Sequence, residues 1–264
     1  KIGIDLSHVS PLQRTILQTL GESVIDISSL IWKKRMIKEA YEINAIRDAI
    51  KITIRGINAV SAGIRDNTTE TELTGLFEKT VRDSGVERLA FDPIIAFKPN
   101  NAYPHTIPTK RTIGSRDLVL VDVGVKVRNR CSDITRMIIR GRPTLDERKH
   151  IQSVIEVIDT SIDYVRPGVR AGEVYDVAVK ILEKYGLKDR FIHGLGHGIG
   201  VVVHEPPYIR AGSDTVLEPG MVFTIEPGIY IPGKHGVRIE EVVLVTKRGC
   251  KVLSSRLNRV LIST

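Results

Sequence analysis

Two stretches lying 101 residues apart constrain this chain more than anything else in it. IRDNTTETEL at 64–73 aligns with VRPGVRAGEV at 165–174, so that Arg65 matches Arg166, Glu72 matches Glu173 and, further on, Gly85 matches Gly186. The surrounding pattern repeats as well. In the first half, Met36, Ile37, Ala40, Ile43, Ile46, Ile50, Ile54, Ile57 and Val60 keep helical spacing. A second helix follows, with Thr69 and Glu72 as its capping box and Gly85 as its stop signal. RDLVLVDVGVKVRNRCSDITRMIIR then reads as two strands joined by a turn. In the second half, Thr144 and Glu147 cap a helix running to about Tyr164, AGEVYDVAVKILEKYG forms the next and stops at Gly186, and GMVFTIEPGIYIPGKHGVRIEEVVLVT gives another strand pair. Helix, helix, strand pair, written twice, predicts a pseudo-two-fold α+β unit with a cleft between the halves, and such a cleft is a natural ligand site. Residues 1–33 stand apart: KIGID and SVIDIS read as short strands around a helix, PLQRTILQTLG, ending on Gly21, and they make a poor domain alone.

The strand pairs carry the chemistry. A turn at Lys126 to Arg130 puts Asp122 and Asp133 across from each other on one sheet face. A turn at PGKHG, centred on Gly233, does the same for Glu226 and Glu240. Like charges placed opposite each other destabilise a sheet, and four carboxylates in one apolar cleft cannot all stay ionised unaided. Two divalent cations would cancel that charge. Oxygen ligands with one imidazole suit Mn, Co, Fe or Zn better than Mg. The imidazole is expected from HGLGHGIGVVVHEPP, where Gly196 and Gly198 give His197 close backbone clearance and leave His193 and His204 as polar groups nearby. His8, His150 and His235 sit in cap or turn contexts and take no role.

Composition narrows the partners. A net charge of +8 raises the question of nucleic acid, but Lys and Arg are scattered, aromatics are 5% and no nucleic-acid motif is present, so nucleic acid is not an expected partner. No run of about 18 apolar residues occurs, so no membrane span is expected. Cys131 and Cys250 form no CxxC pair, and a reducing cytoplasm is the expected location.

The ordered set Asp122, Asp133, His197, Glu226 and Glu240, in VDVG, SDITR, GHGIG, TIEPG and VRIEE, resembles the five metal ligands of the pita-bread metallopeptidases. That family, peptidase M24, includes methionine aminopeptidase, aminopeptidase P and Xaa-Pro dipeptidase. The resemblance covers about residues 36 to 264, and the prolidase and aminopeptidase P branch fits best. KKRMIKEAYEINAIRDA resembles the linker after that branch's N-terminal domain, so residues 1–33 would be the C-terminal remnant of a creatinase-like N-terminal domain and 34–264 the catalytic domain. Methionine aminopeptidases usually show a phenylalanine-glutamate-histidine pattern at the last ligand, which is absent here. Glu241 replaces the aspartate often found after that ligand.

The resemblance implies a curved antiparallel sheet flanked by helices and two divalent metals, Mn or Co before Zn or Fe. It implies hydrolysis of Xaa-Pro bonds at the N-terminus of dipeptides or short peptides by a metal-bridging hydroxide, in a homodimer. By the same resemblance Asp122 binds one metal, Asp133 and Glu240 bridge, and His197 and Glu226 bind the other, with Glu226 as proton shuttle. His204 would contact the substrate carbonyl, His105 would line the leaving-group side and His193 the substrate pocket, while Arg238 and Tyr230 would orient Asp122. The alternatives are a methionine aminopeptidase, or a non-catalytic binding protein on the same fold. Relatives of the second kind generally lose some of the five ligands.

Overall fold

A computed structural model describes residues 2–6, 9–19 and 24–263. Two positions singled out above, His8 and Gly21, lie outside the described residues. The first segment contains a parallel pair, Ile2–Ile4 with Val24–Asp26, and helix α1 (Pro11–Gln18), whose Ser10 forms a capping box with Gln13. Helix α2 (Ser28–Met36) follows, where a single long helix from Met36 onward had been expected. Its apolar residues fall on no one face and none of them is fully buried, so periodicity gives no sign of it. The chain then runs extended through Ile37, and the long helix α3 is Ala40–Gly63.

The repeat is written into the backbone. Helices α3 and α4 (Glu70–Asp83) in the first half correspond to α5 (Leu145–Tyr164) and α6 (Ala171–Lys184) in the second. The predicted boxes form: Thr69 Oγ1 accepts from the Glu72 amide, and Thr144 Oγ1 from the Glu147 amide. Asn67 and Gly168 both adopt positive φ (64° and 89°), as do the helix stops Gly85 and Gly186 (79° and 68°). Each second helix starts beside an extended segment through the same isolated bridge, Thr69 with Thr112 and Arg170 with Val216. Ile113 donates to Thr68 O and Glu70 to Arg111 O, and correspondingly Leu217 donates to Val169 O and Ala171 to Thr215 O. Each of these acceptors or donors in one half has its partner 101 or 104 residues on in the other.

Two sheets hold the halves together. One orders strands Val260–Ser263, Ile134–Arg140, Asp117–Val123 and Ile94–Phe97; the other orders Glu205–Ile209, Gly196–Gly198, Val222–Ile225, Glu241–Val245 and Cys250–Val252. All their pairings are antiparallel except that of Val260–Ser263, which runs parallel to Ile134–Arg140. Strand alternation splits the apolar residues between two clusters. Leu118, Leu120, Phe223 and Ile225 pack with α5 and α6, while Val119, Val121, Val123 and Val242 pack with α3 and α4. Buried on both sides in this way, the sheets present polar groups mainly at their strand ends, which is where the carboxylates lie.

The second hairpin has the predicted register. Ile225 faces Glu241 and Gly228 faces Arg238, so Glu226 comes opposite Glu240, and Gly233 turns the chain with φ 72°. The first hairpin is shifted. Its turn lies at Arg128 and Asn129, both at positive φ, and Asp122 pairs with Thr135 rather than with Asp133. Asp133 is one step along the same face, a diagonal neighbour of Asp122. The shift brings Thr135, not an acid, directly against Asp122.

Candidate active site and metal centre

Asp122 in its strand, Asp133, Glu226 and Glu240 in the breaks beside strands, and His197 converge. Ligand atoms of Asp122, Asp133 and Glu240 lie within 4.8 Å of one another, as do those of His197, Glu226 and Glu240 and those of Asp133, His197 and His204. His197 reaches this place because Gly196 lets its strand come close: a Cβ at position 196 would stand 1.9 Å from Thr224 O. The His197 amide and Glu226 Oε1 both use Thr224 Oγ1 (3.1 and 3.2 Å), which fixes the two side chains relative to each other. His197 Nδ1 donates to Gly198 O at 3.1 Å. Its Nε2 is thereby turned to the acids, 3.1 Å from Glu226 Oε1 and 3.7 Å from Asp133 Oδ2.

The electrostatics follow from burial. Asp133 is pushed well above the ordinary carboxylate range, first by burial and then by the charges of Glu240, Asp122 and Glu226. Glu240, 1% exposed, is raised well above its usual value by burial and by Glu226 and Asp122. Glu226 goes the other way. Burial would raise it, but the hydrogen bond and charge of His197 bring it down to about 2. Burial also opposes charge on His197, yet Glu226 holds the imidazole above its usual value. Two buried carboxylate oxygens, Asp122 Oδ1 and Glu240 Oε1, have no hydrogen-bond partner. A buried acceptor without a donor is costly, and two of them beside an imidazole nitrogen form a donor set that suits divalent cations.

A tier of residues holds this set from behind. Glu240 Oε2 accepts from Thr135 Oγ1 at 2.9 Å. Arg238 makes a short ion pair with Asp122 Oδ2, donates to Tyr230 Oη at 2.6 Å and reaches Pro104 O and Thr135 Oγ1 at 3.3 and 3.4 Å. His193 Nδ1 donates to Gly194 O (2.7 Å), so its Nε2 accepts from the Tyr230 hydroxyl at 2.9 Å. Burial lowers the His193 pKa and raises that of Tyr230 to about 12, which keeps both neutral in this chain of bonds. Sequence reasoning named Arg238 and Tyr230 but missed Thr135 and Thr224. Their only signal is position, on the strand faces that carry the acids.

The centre opens into a cavity of about 650 Å³. Asp122, Asp133, His197 and Glu226 line it together with His105, His193, His204 and Arg238, whereas Glu240 and Tyr230 lie behind its wall. His204 and His105 are exposed. The His204 ring stands edge-on to His197, with centroids 4.2 Å apart, and burial of its ring holds its pKa below the usual value. Phe91, Ile94, Ile107, Pro104 and Pro108 supply an apolar lining, and Tyr208 and Arg210 further polar groups. His150 and His235 pair with each other at 2.8 Å (Nδ1 to Nε2), away from this cavity.

Comparison with known proteins agrees with the geometry. The model of metallopeptidase family M24 matches residues 44–247. The Xaa-Pro dipeptidase of Pyrococcus furiosus is 40% identical over 228 residues, covering 86% of this chain and 66% of its own length. That of Pyrococcus horikoshii is 38% identical, with 86% and 65% covered. The chain thus spans just under two thirds of these curated relatives. Among solved structures, an X-Pro aminopeptidase from Thermotoga maritima superposes with TM-score 0.92 at 35% identity, covering 99% of this chain and 75% of that one. The prolidase of Pyrococcus furiosus superposes at 0.89 and 37% identity, with 96% and 75% covered. The repeat of helix pairs and strand pairs is the pita-bread fold these structures share. The chain belongs to metallopeptidase family M24.

Proposed function

We propose that the protein is a metallo-exopeptidase that hydrolyses the Xaa-Pro bond at the N-terminus of dipeptides or short peptides. The observation that carries this reading is the pair of unpartnered buried oxygens, Asp122 Oδ1 and Glu240 Oε1, among four carboxylates and one imidazole, of which all but Glu240 line the cavity. Asp122, Asp133, His197, Glu226 and Glu240 would hold two divalent cations, Mn or Co before Zn or Fe. Bound there, such cations supply a water of lowered pKa and polarise the scissile carbonyl.

The chain does the rest. Glu226, oriented by Thr224 Oγ1 at 3.2 Å and lining the cavity, can take the proton of the attacking water and pass it to the leaving nitrogen. His204, kept neutral and exposed to the cavity, can donate to the carbonyl oxygen as charge develops on it. His105 lines the leaving-group side. Arg238 fixes Asp122, and Tyr230 fixes Arg238 and His193. The apolar lining of Phe91, Ile94 and Ile107 suits a pyrrolidine ring. The relatives named Xaa-Pro dipeptidase support that preference. Residues 34–264 would be the catalytic domain and 1–33 the end of a separate one. A homodimer in the cytoplasm goes with the same reading, and Cys131 and Cys250 are both free thiols.

The test is a substrate panel with Mn or Co: Xaa-Pro dipeptides, longer Xaa-Pro peptides and Met-initiated peptides. Metal-dependent turnover of Xaa-Pro substrates is expected. Turnover of Met peptides alone would make the protein a methionine aminopeptidase. Metal binding without turnover of any of them would make it a binding protein.

A further inference from the structure

Beside the centre lies a buried ion-pair cluster that the reaction above does not use. Lys38, in the extended link between α2 and α3, has a side chain only 1% exposed, and its Nζ bonds Glu205 Oε1 at 3.0 Å, Glu205 being equally buried. The remaining Nζ protons go to Arg35 O and Met36 O, at 2.6 and 3.3 Å. Arg35 reaches the second oxygen, Glu205 Oε2, at 2.7 Å. The link itself is docked, since the Lys38 amide donates to Gly220 O at 2.9 Å. Glu205 in turn grips the loop it ends: Oε2 accepts from the Val202 amide at 3.4 Å, and its carboxylate fills the space where a Cβ on Gly200 would sit, 2.5 Å away. His204 is the next residue back. It is the last residue of the bend 201–204 that this grip closes, and its ring lines the cavity.

We propose that Lys38 and Arg35, acting through Glu205, are positioning residues that set loop 199–205 and thereby hold His204 over the centre. This rests on the function proposed above and extends it, because it ties the segment before α3 to the active-site loop. An ion pair this deeply buried is not needed for the core, where an apolar pair would serve as well. Its use is to fix one geometry, and a misplacement of about 1 Å at a reacting group can cost roughly a hundredfold in rate.

The experiment is a double-mutant cycle of Lys38→Met with His204→Ala, read as Xaa-Pro turnover, together with amide hydrogen exchange. Lys38→Met should lower kcat roughly 10- to 100-fold with KM within about threefold. In the His204→Ala background it should change the residual rate by less than about twofold. Amides of 200–205 should exchange about tenfold faster, with the hairpin 228–238 unchanged. Lys38→Arg should restore much of the rate. Arg35→Met removes only the partly exposed partner and should show the same pattern at smaller amplitude, which keeps the test intact if Lys38→Met does not fold. Equal losses with and without His204, or unaltered loop exchange, overturn the proposal. If the wild-type protein cleaves no Xaa-Pro peptide, the functional reading falls, while the exchange arm still decides whether Lys38 holds the loop.

Discussion

Glu240→Gln separates the cost of the acidic centre from its use. In the metal-free protein Glu240 is buried, lacks a partner at Oε1 and faces Asp122 and Glu226, which together raise its pKa well above 4.5. A group whose folded pKa is raised gives its full stability below its unfolded pKa and loses it as the pH climbs through the folded value. The metal-free wild type should therefore lose stability from about pH 4.5 upward, by about 1.4 kcal/mol for each unit of the shift. Glutamine does not titrate, and its amide can donate toward the neighbouring carboxylates. The metal-free variant should then be more stable than the metal-free wild type at pH 8, by about 1 to 3 kcal/mol, the cost of a buried polar atom left unpaired. Asp133, raised by burial and in part by the Glu240 charge, titrates in both proteins, with a shallower slope in the variant.

Loaded with Mn at a hundredfold excess over Kd, the wild type gains about 2.7 kcal/mol, or roughly 5 to 10 °C in Tm for a chain of this size. The variant, without the carboxylate that belongs to two of the clusters, should gain less than about 1 kcal/mol and lose its peptidase activity. Thermal unfolding at pH 5 and pH 8, after chelation and after metal is returned, measures all four corners. A metal-free variant less stable than wild type at pH 8, or an undiminished metal increment, would refute the charge argument.

Other perturbations probe the supporting tier. Thr135→Val keeps the shape but removes the donor to Glu240 Oε2, so metal affinity should fall about 10- to 100-fold in a calorimetric titration while the fold is retained. Tyr230→Phe leaves an Arg238 N–H and the His193 ring nitrogen without their shared partner. It should cost about 1 to 3 kcal/mol in denaturant unfolding and lower kcat/KM. Gly196→Ala puts a methyl group 1.9 Å from Thr224 O and should lower Tm sharply together with metal binding. Gly75→Ala, with open space around an exposed site in α4, should raise stability by about 0.5 to 1 kcal/mol.

The sequence disclosed what local rules control. Thr69–Glu72 and Thr144–Glu147 announce helix starts, Gly85 and Gly186 announce stops, and the repeat they define is present in the backbone hydrogen bonds. Glu226 and Glu240 could be paired because Gly233 marks their turn. Asp122 and Asp133 were offset because Arg128 and Asn129 take positive φ without a glycine to signal it. Ile94–Phe97 and Glu205–Ile209 were missed as strands. The first is a short apolar stretch with no alternation, and the second, an edge strand, carries two prolines, which argue against a strand when read alone. Thr135 and Thr224 carried only a positional signal beside the acids, and the Lys38–Glu205 pair, 167 residues apart, carried none.

The distances along the chain within the centre bear on how the protein folds. Thr135 reaches Glu240 across 105 residues, and Arg238 reaches Asp122 across 116. A chain emerging from the ribosome as far as Arg140 holds two aspartates and no imidazole of the set. No local segment can assemble the five groups, and contacts this remote form late and slowly. The complete set of five therefore exists only once the two halves have docked, although His197, Glu226 and Glu240 all come from the second.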